Sequence, residues 1–306
     1  MRDLGGQSDG NGDRGRIRYI LDGGAADVGV ESTVVDGISA PGELRVLRPG
    51  GVTVEQLADC LRENGLLLSG EETDGGRRTG EGVRLRVYGK DMARSSTLET
   101  NPTTPGMKYR HYSPTAPVLL AVGTRQSGTD SSTSSSSRLP FSAPPLDDTR
   151  PAIGLAELIR ERAAAHGQES STFTVGLMSL VGPGLFDDLL SDDEGEVRRW
   201  LASGKDADPL GPAFTLSSDD DMTSAQEHYS SQKIRIQPFS LGTKDDLQTA
   251  AQRLFEGLRV LDEGAGIEEV GGCDLIVVEA LADDGIGLAV MNRLAKAASE
   301  SVLVRV

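Results

Sequence analysis

The residues best suited to chemistry stand in a ten-residue run, Pro105–Pro114, reading Pro-Gly-Met-Lys-Tyr-Arg-His-Tyr-Ser-Pro. Two prolines bracket it, and Lys108, Arg110 and His111 are interleaved with Tyr109 and Tyr112. The run has neither helical nor strand periodicity, so its side chains are not spaced to fill a core. Cations alternating with amphipathic rings in a proline-bounded loop suit an anion carried on a flat ring, such as a nucleotide. A solvated basic linker would have the same composition, and the residues alone leave both readings open.

A second set lies upstream. Glu31-Ser32-Thr33-Val34-Val35-Asp36 is followed, sixteen residues after Ser32, by Arg48 in Leu47-Arg48-Pro49-Gly50. Hydroxyls at a strand start and an arginine at a strand end can point into one cleft. The hydroxyls can hold a carboxylate or a hydroxylated side chain, and the arginine can clamp a phosphate. Ser and Thr begin many strands and lone arginines are usually solvated, so the pair also fits a plain surface. Other features have duller explanations. Gly285-Ile286-Gly287 could cradle a phosphate but lacks the full dinucleotide fingerprint and reads as a tight turn. Asp219–Asp221 reads as a solvated acid run, and Cys273 as a small buried hydrophobe.

The elements that must position these residues fall into two groups. Upstream, Ile17–Leu21, Ser32–Val35 and Leu44–Leu47 read as short strands, with Asp36-Gly37 ending the second. Thr53 is a good N-cap for a helix over Val54–Glu63, with Val54, Leu57, Ala58 and Leu61 on one face. Three strands and one helix cannot close a core alone, so a further packing partner is expected. Glu71–Thr104, polar and rich in glycine and arginine, reads as a loop insertion leading into the linker run.

From Pro117 onward, strands and helices alternate. Val118–Val122, Phe173–Leu180, Ile234–Phe239, Cys273–Val278 and Val302–Val306 read as strands. Ile153–Ala165, a helix starting near Lys244, and Leu288–Ser299 read as helices, with a shorter one around Glu196–Leu201. Leu247, Ala251, Leu254, Phe255, Leu258 and Leu261 mark the core face of the second. Residues 124–150 form a Ser/Pro-rich insertion without core composition, and residues 187–227 carry twelve acidic against three basic residues. This alternation argues for an α/β fold with a parallel, Rossmann-like sheet covered on both faces.

Composition bounds the rest. At 306 residues the chain suits about two domains. A net charge of −16 argues against a general nucleic-acid or membrane-surface binder. Two unpatterned cysteines, Cys60 and Cys273, imply neither a disulfide framework nor a zinc site, and three scattered histidines imply no metal cluster. No apolar run approaches a bilayer span and no secretory leader is recognisable, so a cytoplasmic protein is expected.

Three separated stretches resemble the two-domain threonylcarbamoyl-AMP synthases, in the order that family has them. Asp22–Thr53 looks like the end of the catalytic, YrdC-like domain, and Pro105–Pro114 like the linker after it. The stretch from Leu254 through Ala298 resembles the last part of the C-terminal domain. The family's upstream phosphate- and threonine-binding motifs do not precede Asp22. The chain is therefore expected to be N-terminally truncated, an α/β remnant of the YrdC-like domain followed by a Rossmann-like domain. The expected divisions are residues 1–70 for the remnant, 71–116 for the insertion and linker, and 117–306 for the C-terminal domain.

The resemblance implies a nucleotidyltransferase of tRNA modification. It would join L-threonine, bicarbonate and ATP, with Mg2+, into threonylcarbamoyl-adenylate and release pyrophosphate. The product passes to a downstream tRNA-modifying complex, with no membrane and no direct nucleic-acid binding. By position, Ser32 would lie at the threonine subsite and Arg48 at the ATP phosphates. Tyr112, or failing it Tyr109, would reach the nucleotide, while Lys108, Arg110 and His111 would form part of a lid over the adenylate. A non-catalytic nucleotide-binding or regulatory module is the alternative, and RNA binding through residues 77–110 a weaker third.

Overall fold

The computed structural model describes residues 21, 23–24, 26–68, 82–88, 90–92, 113–124, 151–167, 172–181, 189–190, 195–203, 208–216, 232–264 and 271–305. They form two sheets of unequal size. The smaller has three strands: β1 (Val34–Asp36), β2 (Glu43–Arg48) and β3 (Arg84–Val87). β1 runs antiparallel to β2, and β3 parallel to it. Helix α1 (Val54–Glu63) connects β2 towards β3. Its start is fixed by a complete capping box: the Thr53 hydroxyl accepts from Gln56 N–H and the Gln56 side chain accepts from Thr53 N–H.

The larger sheet begins with β4 (Val118–Thr124) and the short β5 (Ile153–Gly154), which leads straight into α2 (Leu155–His166). β6 (Thr172–Val181), α3 (Gly195–Ala202), β7 (Phe214–Thr215) and β8 (Lys233–Thr243) follow. Then come α4 (Leu247–Glu263), β9 (Leu275–Glu279), α5 (Gly285–Ala297) and β10 (Glu300–Arg305). Strand order is β5-β10-β4-β9-β6-β8-β7, parallel throughout except for β7 against β8. The α/β, parallel-sheet class expected from the alternation is the class observed.

Side-chain parity explains why the central strands are continuously apolar. Val118, Leu120 and Val122 of β4, with Ile276 and Val278 of β9, enter one core with α4 and α5. Leu119 and Ala121, with Leu275 and Val277, enter the other core with α2. A strand buried on both faces has no polar position to alternate with.

Three local expectations change. Residues 84–87 fall inside the stretch read as a loop insertion, yet they form β3. Arg84-Leu85-Arg86-Val87 alternates with period two, and its flanks conceal that; Val87 is buried and Arg86 pairs with Glu43 across β2. The helix expected from Leu288 starts one turn earlier, so Gly285-Ile286-Gly287 is the first turn of α5 rather than a separate loop. Ile153–Gly154 is strand, not the start of the helix. The strand expected at Ile17–Leu21 lies, apart from Leu21, outside the described residues.

The packing partner missing from the small sheet comes from the far end of the sequence. Leu288 of α5 is buried with Val46 and Val87, and Val54, Leu57 and Leu85 pack around them. α5 is therefore covered on both sides, by the large sheet and α4 on one and by the small sheet on the other. This accounts for its apolar character all round, with nearly every residue from Gly287 to Ala295 buried.

Candidate active site

Ser32 and Arg48 meet. β1 and β2 bring Val34 opposite Arg48, with a register irregularity between Val34 and Val35. From there the guanidinium turns onto the residue just before the strand. Arg48 donates from Nε and Nη2 to the Ser32 carbonyl at 3.2 and 2.9 Å, and from Nη2 to the Ser32 Oγ at 3.1 Å. The Ser32 hydroxyl thus accepts from a cation, which leaves its own proton for an acceptor on a ligand.

The surrounding backbone is tied down. Thr33 Oγ1 donates to the Val52 carbonyl at 2.5 Å and accepts from Val52 N–H at 3.1 Å. Gly51 N–H donates to the Glu31 carbonyl at 2.9 Å. Gly50 lies so close to this segment that a Cβ would stand 2.3 Å from the Glu31 carbonyl oxygen, and 2.4 Å from Ser32 and Thr33 backbone atoms. Residues 31–33 and 50–52 form one stitched platform with Ser32 on its exposed side.

The large unit meets this platform and its surroundings through three sets of contacts. Gln248 on α4 donates to the Asp27 and Val28 carbonyls at 3.2 and 2.9 Å, and Gln252 donates to Asp27. Gly29, with φ near +75°, approaches the α4 backbone so closely that a Cβ would lie 2.4 Å from Gln252 N. Arg293 on α5, only 8 % exposed, donates from Nε to Glu31 Oε2 at 2.6 Å. Burial draws the Arg293 pKa below the ordinary arginine value, the Glu31 carboxylate opposes that, and the Arg48 charge adds to it.

The third set joins α1 to the start of α5. Glu55 Oε1 accepts from Gly285 N–H at 3.2 Å, placing a carboxylate on the positive end of α5. Desolvation pushes the Glu55 pKa up. Hydrogen bonds from its own N–H, Gly285 N–H and the Thr53 hydroxyl, with the Lys90 charge, outweigh that and lower it. Lys90 pairs with Asp283 at 3.5 Å. Beyond the platform, Asp262 Oδ1 accepts from Thr115 N–H and Ala116 N–H at 2.8 Å each, pinning the chain where it leaves the linker run.

Of the residues singled out in the sequence, Ser32 and Arg48 are brought together. Lys108, Tyr109, Arg110, His111 and Tyr112 lie outside the described residues. Glu31 and Arg293 are additions that the sequence does not single out. Glu31 is visible there only as a neighbour of Ser32. Arg293 carries a usable signal, a charge following the apolar run Ile286–Met291 of a helical stretch, which demands a buried partner. Among the described residues no group of three or more His, Cys, Asp and Glu side chains could hold a metal ion, and no helix is long and apolar enough to cross a membrane.

Residues 52–299 match the family model described as the C-terminal domain of threonylcarbamoyl-AMP synthase. A threonylcarbamoyl-AMP synthase of Schizosaccharomyces pombe is 44% identical over 116 residues, covering 37% of this chain and 23% of that protein. Those of Pyrococcus abyssi and Bacillus subtilis are each 26% identical, covering 94% of this chain and 52% and 51% of theirs. A crystal structure of P. abyssi Sua5 complexed with L-threonine overlaps with a TM-score of 0.44 at 23% identity, over 95% of this chain and 52% of that one. The chain spans about half the length of the P. abyssi and B. subtilis relatives.

Proposed function

The chain belongs to the threonylcarbamoyl-AMP synthase family, and we propose that it serves that family's reaction, the joining of L-threonine, bicarbonate and ATP into threonylcarbamoyl-adenylate with release of pyrophosphate. The observation that carries the reading at the site is the Arg48 guanidinium held on Ser32. A hydroxyl with a free proton beside a fixed cation suits an amino-acid carboxylate next to a phosphate.

In this reading Ser32 binds threonine and Arg48 faces the ATP phosphates. The threonine amine condenses with bicarbonate to a carbamate with loss of water, and a carbamate oxygen attacks the α-phosphorus while pyrophosphate leaves. That chemistry asks the protein mainly for positioning and for positive charge where phosphate charge builds up. Magnesium would accompany ATP and offset the charge of its phosphates. Tyr112, or failing it Tyr109, reaches the nucleotide, and Lys108, Arg110 and His111 help hold the linker over the adenylate. A mixed anhydride hydrolyses readily, so excluding water protects it until a tRNA-modifying complex receives it.

We assign residues 1–70 to the end of the catalytic domain and 71–116 to the insertion and linker. Residues 117–306 form the C-terminal domain, with insertions at 124–150 and 187–227. The test is pyrophosphate release by the purified chain with ATP, L-threonine and bicarbonate, with mass detection of threonylcarbamoyl-adenylate. Threonine-dependent product supports the reading. If a longer chain, extended upstream, also makes none, the assignment to this reaction is wrong.

A further inference from the structure

We infer that Arg293 is a positioning residue for the Ser32–Arg48 pair, so that the large unit sets the geometry of a ligand site whose contacting side chains it does not supply. This rests on the reading of Ser32 and Arg48 just given. Arg293 stands on α5 among residues that are almost all buried and apolar. A guanidinium in such a place is costly unless it is paired. It reaches out of its own unit to Glu31, the residue immediately before Ser32. Its Nη2 is buried without a hydrogen-bond partner among the described residues, so packing alone would be served as well by an apolar side chain.

Glu31 cannot shift without moving the site. Its carbonyl holds Gly51 N–H, and the backbone of residues 31–33 lies against Gly50 with no room to slide. Any displacement of Glu31 therefore carries the Ser32 carbonyl and hydroxyl away from Arg48. Arg48 is near enough to Arg293 for its charge to act on it. Two of the other contacts between the units, Glu55 with Gly285 and Lys90 with Asp283, touch α1 and the turn after β3 instead. They provide a control that loosens the same junction without touching residues 31–33.

Calorimetric titration of the 306-residue chain with L-threonine and with ATP, beside hydrogen exchange over residues 28–52, tests the idea. Arg293→Met is expected to weaken threonine binding between about tenfold and about a hundredfold, as misplaced positioning groups do. Arg293→Lys keeps a charge on Glu31 and recovers part of the loss. Glu31→Gln breaks the same pair from an exposed position, so the test survives if Arg293→Met fails to fold. Combining Glu31→Gln with Arg293→Met adds little to either alone. Glu55→Gln lowers the melting temperature but leaves the threonine affinity unchanged.

If Arg293→Met and Glu31→Gln lose no more affinity than Glu55→Gln, the positioning role is wrong. Should the unaltered chain bind neither ligand, the functional reading of Ser32 and Arg48 fails for this chain, and hydrogen exchange decides the rest. Faster exchange confined to residues 28–36 in Arg293→Met then supports the coupling, and exchange equal to that of Glu55→Gln overturns it.

Discussion

A methyl group at residue 50 has nowhere to go, because the Glu31, Ser32 and Thr33 backbone already occupies the space. Gly50→Ala should therefore push Ser32 off Arg48 and abolish threonine binding while the large sheet stays folded. Calorimetry paired with a thermal melt separates those two effects. The cysteines give a second prediction. Burial, followed by the charges of Asp274 and Asp262, pushes the Cys273 thiol up to about 12, so at about pH 8 it stays protonated and inert. Cys60 is exposed, and iodoacetamide should label it alone, as peptide mass spectrometry would show. At this scale Ser32 and Arg48 are legible in the sequence because hydroxyl and guanidinium are recognisable types near predicted strand ends. The Glu31–Arg293 pair is not, because it joins residues far apart in the chain and no local pattern links them.

Elements are more legible than residues, and for a physical reason. Burial on both faces writes an unbroken apolar run into β4 and β9, and amphipathic spacing writes α4. β3 escapes a reading of the sequence because a four-residue strand carrying two arginines looks like its polar flanks. Only its pairing with β2, through Arg86 and Glu43, shows what the alternation means. The capping box of α1 is half visible in Thr53, and Thr53→Ala should cost about 1 kcal/mol, within the usual range for a lost N-cap. Chemical denaturation measures it. Leu288 fills the small sheet's core from α5. Leu288→Ala should cost about 2–5 kcal/mol, as large-to-small core changes do, and hydrogen exchange should rise in β2 and β3 before it rises in β6.

For the whole molecule, a carboxyl at the junction of the two units and one inside the small sheet respond to pH in the same direction. Hydrogen bonds and a nearby lysine lower the Glu55 pKa against its desolvation. The Arg45 hydrogen bond, with help from Arg86, lowers that of Glu43. A depressed carboxyl contributes stability that is fully present above its unfolded value, about 4.3, and is lost as pH falls through the folded value. Melting temperature should therefore decline below about pH 4.5, and Glu55→Gln should flatten part of that decline. An unchanged slope in the variant would remove Glu55 from the account. The strand order carries a different consequence, for synthesis. β10 lies between β4 and β5, so β5 has no neighbour in the sheet until residues 300–305 exist. At about 5–20 residues per second, of the order of ten seconds separate the making of β4 from that of β10. Throughout that interval the apolar edge of β4 is an open template on the ribosome. A chaperone that binds unpaired strand edges would find its main work there, and slowing translation over α4 and β9 should lower the soluble yield more than slowing it anywhere upstream of β4.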